Sequence, residues 1–319
     1  MPLERQVITM PLAQGVDTKT DNKQVVAGKL LELENGIFTR LKSIQKRNGY
    51  TALGKVIGNR ADVGAEILPA LWFRLTDSSS PAVNSGSAFP SATLVPVGNT
   101  NVTWSQPFTD PPVAGRFTNT LKVNEYQSGV GGCTSADPLA NASEMTTLVW
   151  VDLPTWPTTL SVSSRIFGRG SYTFPGSGTA QFGFFYPTVS PYEGRGVIRI
   201  NDGSGAQTLE TGYLDGGAFS LAVIAGHTSL WALTYKAGVL KARVYVSGTA
   251  LPYTATSSAV PGGLIVPSTD IISVGAYSGA DPCEAPPGNV TGVYYSDFRV
   301  YTVALDDTQL DALWAASIV

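Results

Sequence analysis

From residue 61 onward, short runs rich in Val, Ile, Thr, Tyr, Phe and Trp alternate with Gly, Ser and Pro. That rhythm predicts strands and turns, with strands at 147–153, 159–166, 180–186, 196–200, 219–224, 229–235, 241–246, 271–277 and 290–301. The clearest hairpin joins 230–235 to 239–246 through Lys236-Ala237-Gly238. Side chains alternate along a strand, so Trp231, Leu233 and Tyr235 share one face, as do Ala242, Val244 and Val246 in the return strand. One short helix is expected at 306–315: Asp306 or Asp307 can cap it, and Leu310, Leu313 and Trp314 form an apolar stripe. The fold class is therefore all-β, a two-sheet antiparallel jelly-roll sandwich with a short C-terminal helix.

Residues 1–60 follow a different pattern. Val25, Leu30, Leu33, Phe38 and Tyr50 are apolar positions set among charges and the turn signals Asn35-Gly36 and Asn48-Gly49. Sixty residues bury too little surface to form a stable globule alone, so these positions predict an extended assembly arm lying on another surface. Charge divides at the same boundary: ten Lys/Arg against five Asp/Glu in 1–60, and eleven against nineteen in 61–319. Opposite fields favour docking of arm on body, within one molecule or between neighbours. Lys46 and Arg47 are candidates for pairing with acidic neighbours.

Composition narrows the chemistry. The 319 residues carry a net charge of -3 and only 14% charged side chains, so nucleic acid is not an expected partner. No apolar run approaches the roughly 20 residues of a membrane-spanning helix. The opening MPLERQVITMPLAQG places Glu4 and Arg5 where a secretory leader would be apolar, and it is not expected to be one. His227 is the one histidine, which removes a multi-histidine metal site. Cys133 and Cys283 lie 150 residues apart. One bridge across a sandwich and two separate buried thiols both fit that spacing. The acids of the body are scattered, with no same-strand spacing that would aim a pair at one glycosidic bond. No catalytic residue is assigned. Asn201-Asp202-Gly203-Ser204-Gly205 is oxygen-rich, but reads best as a tight turn.

Three ordered segments of the body resemble concanavalin A-like, laminin-G-type sandwich domains over about residues 66–319. The first is the aromatic opening 68–79 with the 84–86 turn, and the second is Tyr245-Val246-Ser247-Gly248, where an acidic residue would be usual. The third is Asp297-Phe298-Arg299-Val300-Tyr301 followed by 304–310. The resemblance implies a rim that sometimes holds calcium, with no ligand assigned in this sequence. Segments 11–21, 28–35 and 46–50 resemble the N-terminal region of tailed-bacteriophage virion proteins of the tail or nozzle type.

Together these predict a virion structural protein, with residues 1–60 docking on neighbouring virion subunits in a homo-oligomer or other symmetric assembly. The sandwich of 61–319 would then be displayed on the tail, neck or capsid surface. The alternative is a glycan-binding module for host adsorption, and a glycoside hydrolase stands behind both. For glycan contact the candidate platforms are Trp104, Trp150, Trp156, Tyr192 and Tyr213, since flat aromatic faces suit pyranose rings. Trp72, Trp231 and Trp314 read instead as core.

Overall fold

The computed structural model describes residues 67–76, 80–98, 101–110, 117–124, 128–132, 137–155, 164–170, 172–173, 177–178, 180–186, 194–217, 219, 221–275 and 292–317, together with 36–38 and 44–46. The chain divides into two compact units, residues 1–53 and 54–319. Within the first, β1 (Gly36–Phe38) and β2 (Ile44–Lys46) pair antiparallel, Gly36 opposite Lys46.

The second unit opens with β3 (Leu71–Phe73), β4 (Ala82–Val83), β5 (Thr93–Gly98), β6 (Val102–Gln106), β7 (Thr120–Val123) and β8 (Ser128–Gly132). Then come β9 (Glu144–Leu153), β10 (Ser164–Arg169), β11 (Tyr172–Thr173), β12 (Ser177–Gly178), β13 (Phe182–Tyr186), β14 (Arg195–Asn201) and β15 (Ala206–Glu210). The helical turn α1 (Leu221–Ile224) leads into β16 (His227–Lys236), β17 (Val239–Val246), β18 (Tyr253–Thr256), β19 (Leu264–Ile265), β20 (Ile272–Val274) and β21 (Val293–Tyr301), and α2 (Asp307–Ala315) follows.

One sheet has eight strands in the order β18-β17-β16-β9-β21-β7-β6, with β3 also paired to β21. The other has nine, in the order β15-β14-β13-β10-β20-β8-β5-β4, with β19 on β14. The protein is thus an all-β two-sheet antiparallel sandwich with a short C-terminal helix. The hairpin expected at 230–246 is present as β16 and β17, in register from Ser229 opposite Val246 to Lys236 opposite Val239. Segment 219–224, expected as a strand, is α1 instead. The chain crosses here from β15 in one sheet to β16 in the other, so it joins neither ladder. Its apolar residues Phe219 and Ile224, with Leu214 from the turn before them, are buried as a plug in the main core.

Inward residues of the two sheets make that core, among them Phe73, Leu121, Val149, Val151, Phe167, Phe184, Ile198, Trp231, Leu233, Val244, Tyr295 and Phe298. Trp231 meets Phe184 edge-on at 4.8 Å and Phe219 at 5.6 Å. Its indole N–H donates to Ser229 Oγ at 2.8 Å, meeting the polar requirement of a buried tryptophan.

The outward residues of the eight-stranded sheet are buried too. Leu148, Trp150, Leu230, Ala232, Tyr245, Tyr294 and Tyr301 form a second apolar layer. That layer is covered by Phe108 and Phe117, stacked at 4.6 Å, and by Leu310, Leu313 and Trp314 of α2. Asp306 caps α2 reciprocally: its carboxylate accepts from Gln309 N at 2.8 Å, and Gln309 Oε1 accepts from Asp306 N at 2.8 Å. Such a capping box typically contributes about 1 kcal/mol.

The turn at the tip of the β16–β17 hairpin packs backbone to backbone against segment 260–262. A Cβ on Gly238, whose φ is +80°, would lie 1.9 Å from the Val260 carbonyl oxygen. Gly203 also has positive φ (+95°) but faces open space. Gly238→Ala is expected to lower the unfolding free energy by about 3 kcal/mol or more and Gly203→Ala by about 1 kcal/mol, measured by urea denaturation. Equal losses would mean that backbone strain alone, and not the Val260 contact, sets the cost.

Candidate functional site: a cleft at one end of the sandwich

A cleft of about 740 Å3 opens where the loops of the two sheets meet. The approach to β9 supplies Asn141, Ser143 and Glu144, and the β14–β15 turn supplies Asn201, Asp202 and Gly203. Ala206 at the start of β15, Ala237 of the hairpin tip and residues 262–267 around β19 complete the lining. Aliphatic surface lies beside polar groups here: Leu264 remains 47% exposed, although its neighbour Ile265 is fully buried.

The walls are braced from behind. Tyr235 Oη donates to Gly263 O at 2.8 Å and accepts from Gly263 N at 2.9 Å. Asn141 N donates to Ile265 O at 2.9 Å, and Ile265 N to Ala142 O at 2.8 Å. Deeper in, Gln181 Nε2 donates to Val266 O at 2.9 Å and to both carboxylate oxygens of Asp137. The buried Arg169 pairs with Asp137 at 3.4 Å and donates to Ser268 O at 2.7 Å. A wall fixed by buried charge and backbone bonds presents its side chains with little ordering cost on binding.

Several polar groups of the cleft have no protein partner. The side chains of Asn141 and Ser143 make no hydrogen bond, and both residues are exposed. Asn201 Oδ1 accepts from Gly203 N at 3.0 Å, which leaves its Nδ2 donor open. Asp202 Oδ1 accepts from Ser204 N at 2.9 Å and Ser204 Oγ at 2.6 Å, and its Oδ2 from Gln207 Nε2 at 2.8 Å. Those bonds, led by the Ser204 hydroxyl, hold the Asp202 carboxyl below the usual carboxylate range. Residues 201–205 are the turn the sequence suggested, closing β14 onto β15.

A second polar cluster lies on the outer face of the eight-stranded sheet. Asp152 is fully buried and accepts from Thr109 N and from Thr109 Oγ1, the latter at 2.9 Å. Asp110 accepts from Thr228 N at 2.7 Å and from the Ser247 hydroxyl, which lies 3.2 Å from His227 Nδ1. The two carboxylates pin the chain around Phe108 to the ends of β9, β16 and β17. Serine stands between His227 and Asp110, so the imidazole has no carboxylate orienting it as a base. Asp152 Oδ1 and Thr228 Oγ1, on opposed residues of the β9–β16 ladder, have no partner. Burial pushes the Asp152 carboxyl above its ordinary value, opposed by hydrogen bonding from Thr109 and from the Asp110 backbone.

The Asp297-Phe298-Arg299-Val300-Tyr301 run has a structural use. Arg299 is 1% exposed, with its guanidinium 5.0 Å from the Trp72 ring centroid and 4.8 Å from that of Trp150. Asp297 accepts from Arg299 Nη2 at 3.0 Å and from Trp72 Nε1 at 2.7 Å. This pair ties β21 to β3.

The aromatic platforms divide. Trp150 is 2% exposed in the second apolar layer, so its ring is packing and not a contact surface, a correction to the sequence expectation. Trp104, on β6, is half-buried and packs against the main core. Tyr213 is 40% exposed, with the Arg195 guanidinium 3.8 Å from its ring centroid. It sits near Arg195 at the start of β14, about 20 Å along that strand from Asn201. Trp156, Tyr192, Cys133 and Cys283 lie outside the described residues. Among the described residues that line the cleft, none is aromatic. Its signal in the sequence was the Asn201–Gly205 turn, which reads equally well as a plain connection.

No family model matches this sequence, and no curated protein is significantly similar to it. Solved structures are similar in fold. One is the binding domain of botulinum neurotoxin DC in complex with SialylT: TM-score 0.47, 13% identity, covering 78% of this chain and 51% of that one. Another is the botulinum neurotoxin serotype D binding domain: 0.48, 11%, 79% and 51%. A third is the serotype D ligand binding domain in complex with N-acetylneuraminic acid: 0.48, 11%, 78% and 50%. The chain spans about half the length of these structures, and at such identity the likeness concerns the fold: a two-sheet sandwich broadly resembling lectin-type domains.

These findings correct the virion expectation. The folds that match belong to toxin binding domains, so the bacteriophage structural role, the virion structural partners and the virion location are withdrawn. The arm residues that carried that expectation add nothing to it: Val25, Leu30, Leu33, Arg47 and Tyr50 lie outside the described residues, and Phe38 and Lys46 are described only as members of β1 and β2. Among the described residues no three His, Cys, Asp or Glu side chains converge as a metal centre.

The folded protein holds the Asp152 proton to higher pH than the unfolded chain does. That contribution to stability is therefore complete below the unfolded value near pH 4 and is lost as pH rises through the raised folded value. Asp152→Asn keeps an acceptor for Thr109 and removes the buried charge. It is expected to raise Tm by a few degrees at pH 8 and by less near pH 4, followed by differential scanning calorimetry. A lower Tm at both pH values would show that the ionised carboxylate is what holds Thr109.

Proposed function

We propose that the sandwich of about residues 61–319 is a non-catalytic carbohydrate-binding module of the concanavalin A-like, laminin-G type, and that the end cleft is its binding site. The observation that carries this reading is the pairing, in one concavity on a braced backbone, of unpartnered amide and hydroxyl groups with exposed aliphatic surface. Saccharides offer the complementary pattern: a ring of hydroxyls that both donate and accept, and C–H faces that take apolar contact. Asn141, Ser143 and Asn201 supply the hydrogen-bonding groups, with Leu264 and its neighbours as the apolar side. Tyr213, with the Arg195 guanidinium on its ring, is a separate exposed platform at the far end of β14.

A glycan array followed by NMR titration of the labelled protein tests the assignment. Shifts are expected at the Asn141, Ser143, Asn201 and Gly263 amides. Asn141→Gly suits the backbone, since Asn141 has φ +60°. That variant and Asn201→Ala are each expected to weaken binding about five- to tenfold, the loss of about one hydrogen bond. Tyr213→Ala is expected to leave affinity unchanged. Binding lost in Tyr213→Ala and kept in both cleft variants would move the site to the Tyr213 platform.

A further inference from the structure

The charge of the cleft goes a step further than its shape. Its lining includes two carboxylates, Glu144 and Asp202, and no Lys, Arg or His among the described residues. Glu144 is already engaged: Lys236 Nζ lies 3.1 Å from its Oε1, and its Oε2 accepts from Ala304 N at 3.2 Å. Asp202 differs. Its partners, Ser204 and Gln207, are neutral donors, so they fix the carboxylate in place without cancelling its charge. The open Nδ2 of Asn201 is on the adjacent residue, and Asn141 lines the same concavity.

We propose, on the reading that the cleft is the glycan site, that it selects neutral saccharides and rejects sugars bearing a carboxylate or sulfate. Adjacent hydroxyls are read between the Asp202 carboxylate, which accepts from one, and the Asn201 and Asn141 amides, which donate to the next. A hydroxyl donating to an ionised carboxylate makes a stronger bond than one donating to a neutral acceptor. An acidic sugar meets the opposite situation. Its anion would be desolvated beside a fixed negative charge, with no guanidinium or ammonium in the lining to receive it.

The test compares, on the full chain, a galactose-terminated oligosaccharide with the same oligosaccharide capped by N-acetylneuraminic acid or by a sulfate ester, using equilibrium binding. The capped forms are expected to bind about fivefold more weakly, a gap of the size that one close like-charge contact gives in water. Raising the salt concentration should narrow the gap. Asp202→Asn, which keeps an acceptor for Ser204 in an exposed turn, should weaken the neutral sugar and bring the two affinities within about threefold of each other.

Capped and uncapped forms binding equally well, or the capped form more tightly, would overturn the selectivity. If Asn141→Gly still weakened that binding about five- to tenfold, the cleft would stand as the glycan site. Absence of binding by any saccharide, with no change in the cleft amides, would overturn both.

Discussion

The structure depends on the burial of both faces of three central strands, β9, β16 and β21. A sandwich needs only the inner face of each sheet to be apolar. Here the outer face carries Leu148, Trp150, Leu230, Tyr245, Tyr294 and Tyr301, an apolar surface too large to leave in water. The stacked Phe108–Phe117 pair and α2 cover it, turning a two-layer sandwich into a partly three-layered one. Buried aromatic side chains of this size dominate core energetics, so the outer layer is a second core and not a decoration.

Covering that face imposes a polar problem, and the solution shapes the chemistry nearby. Polar residues that would be solvated in a simple sandwich, Asp152, Thr228 and Arg299 on strands and Ser247 just past β17, are enclosed. They are matched to one another and to the cover: Asp152 to Thr109, Asp110 to Thr228 and Ser247, Asp297 to Arg299 and Trp72. Hydrogen bonds of this kind fix where the cover sits more than they add net stability, because each removes a charge from water to make the contact. The cluster around His227, the most enzyme-like grouping by residue type, is accounted for as such a fastening.

The end cleft is of another kind. Asn141, Ser143 and Asn201 are exposed there, with the Asn141 and Ser143 side chains and the Asn201 amide nitrogen left without protein partners, while the backbone beneath them is held by Tyr235, Gly263 and the buried Arg169–Asp137 pair. Rigid support with open side chains is the arrangement that binding favours, since the ordering cost is met in folding and the hydrogen bonds remain for a ligand. The two polar sites differ in what surrounds them, not in residue type. Asp152 is pushed towards its neutral form by burial, whereas Asp202 is held ionised by Ser204 in open solvent.

The sequence alone determined the local elements and the fold class. Period-two alternation in 229–246 specified the β16–β17 hairpin and its inward face, and Asp306 with Gln309 and the Leu310, Leu313, Trp314 stripe specified α2, because these signals act within a few residues. Segment 219–224 misled, since an apolar run of that length has no period of its own and its state follows from crossing between sheets. Trp150 misled for a related reason: alternation says which face a side chain takes, and only the docking of Phe117 and α2 decides whether that face is wet. The cleft brings together positions near 141, 202, 237 and 264, which no local pattern connects. Strand order alone makes them neighbours, and the unpartnered state of their polar atoms exists only once every other hydrogen bond in the sandwich has been formed.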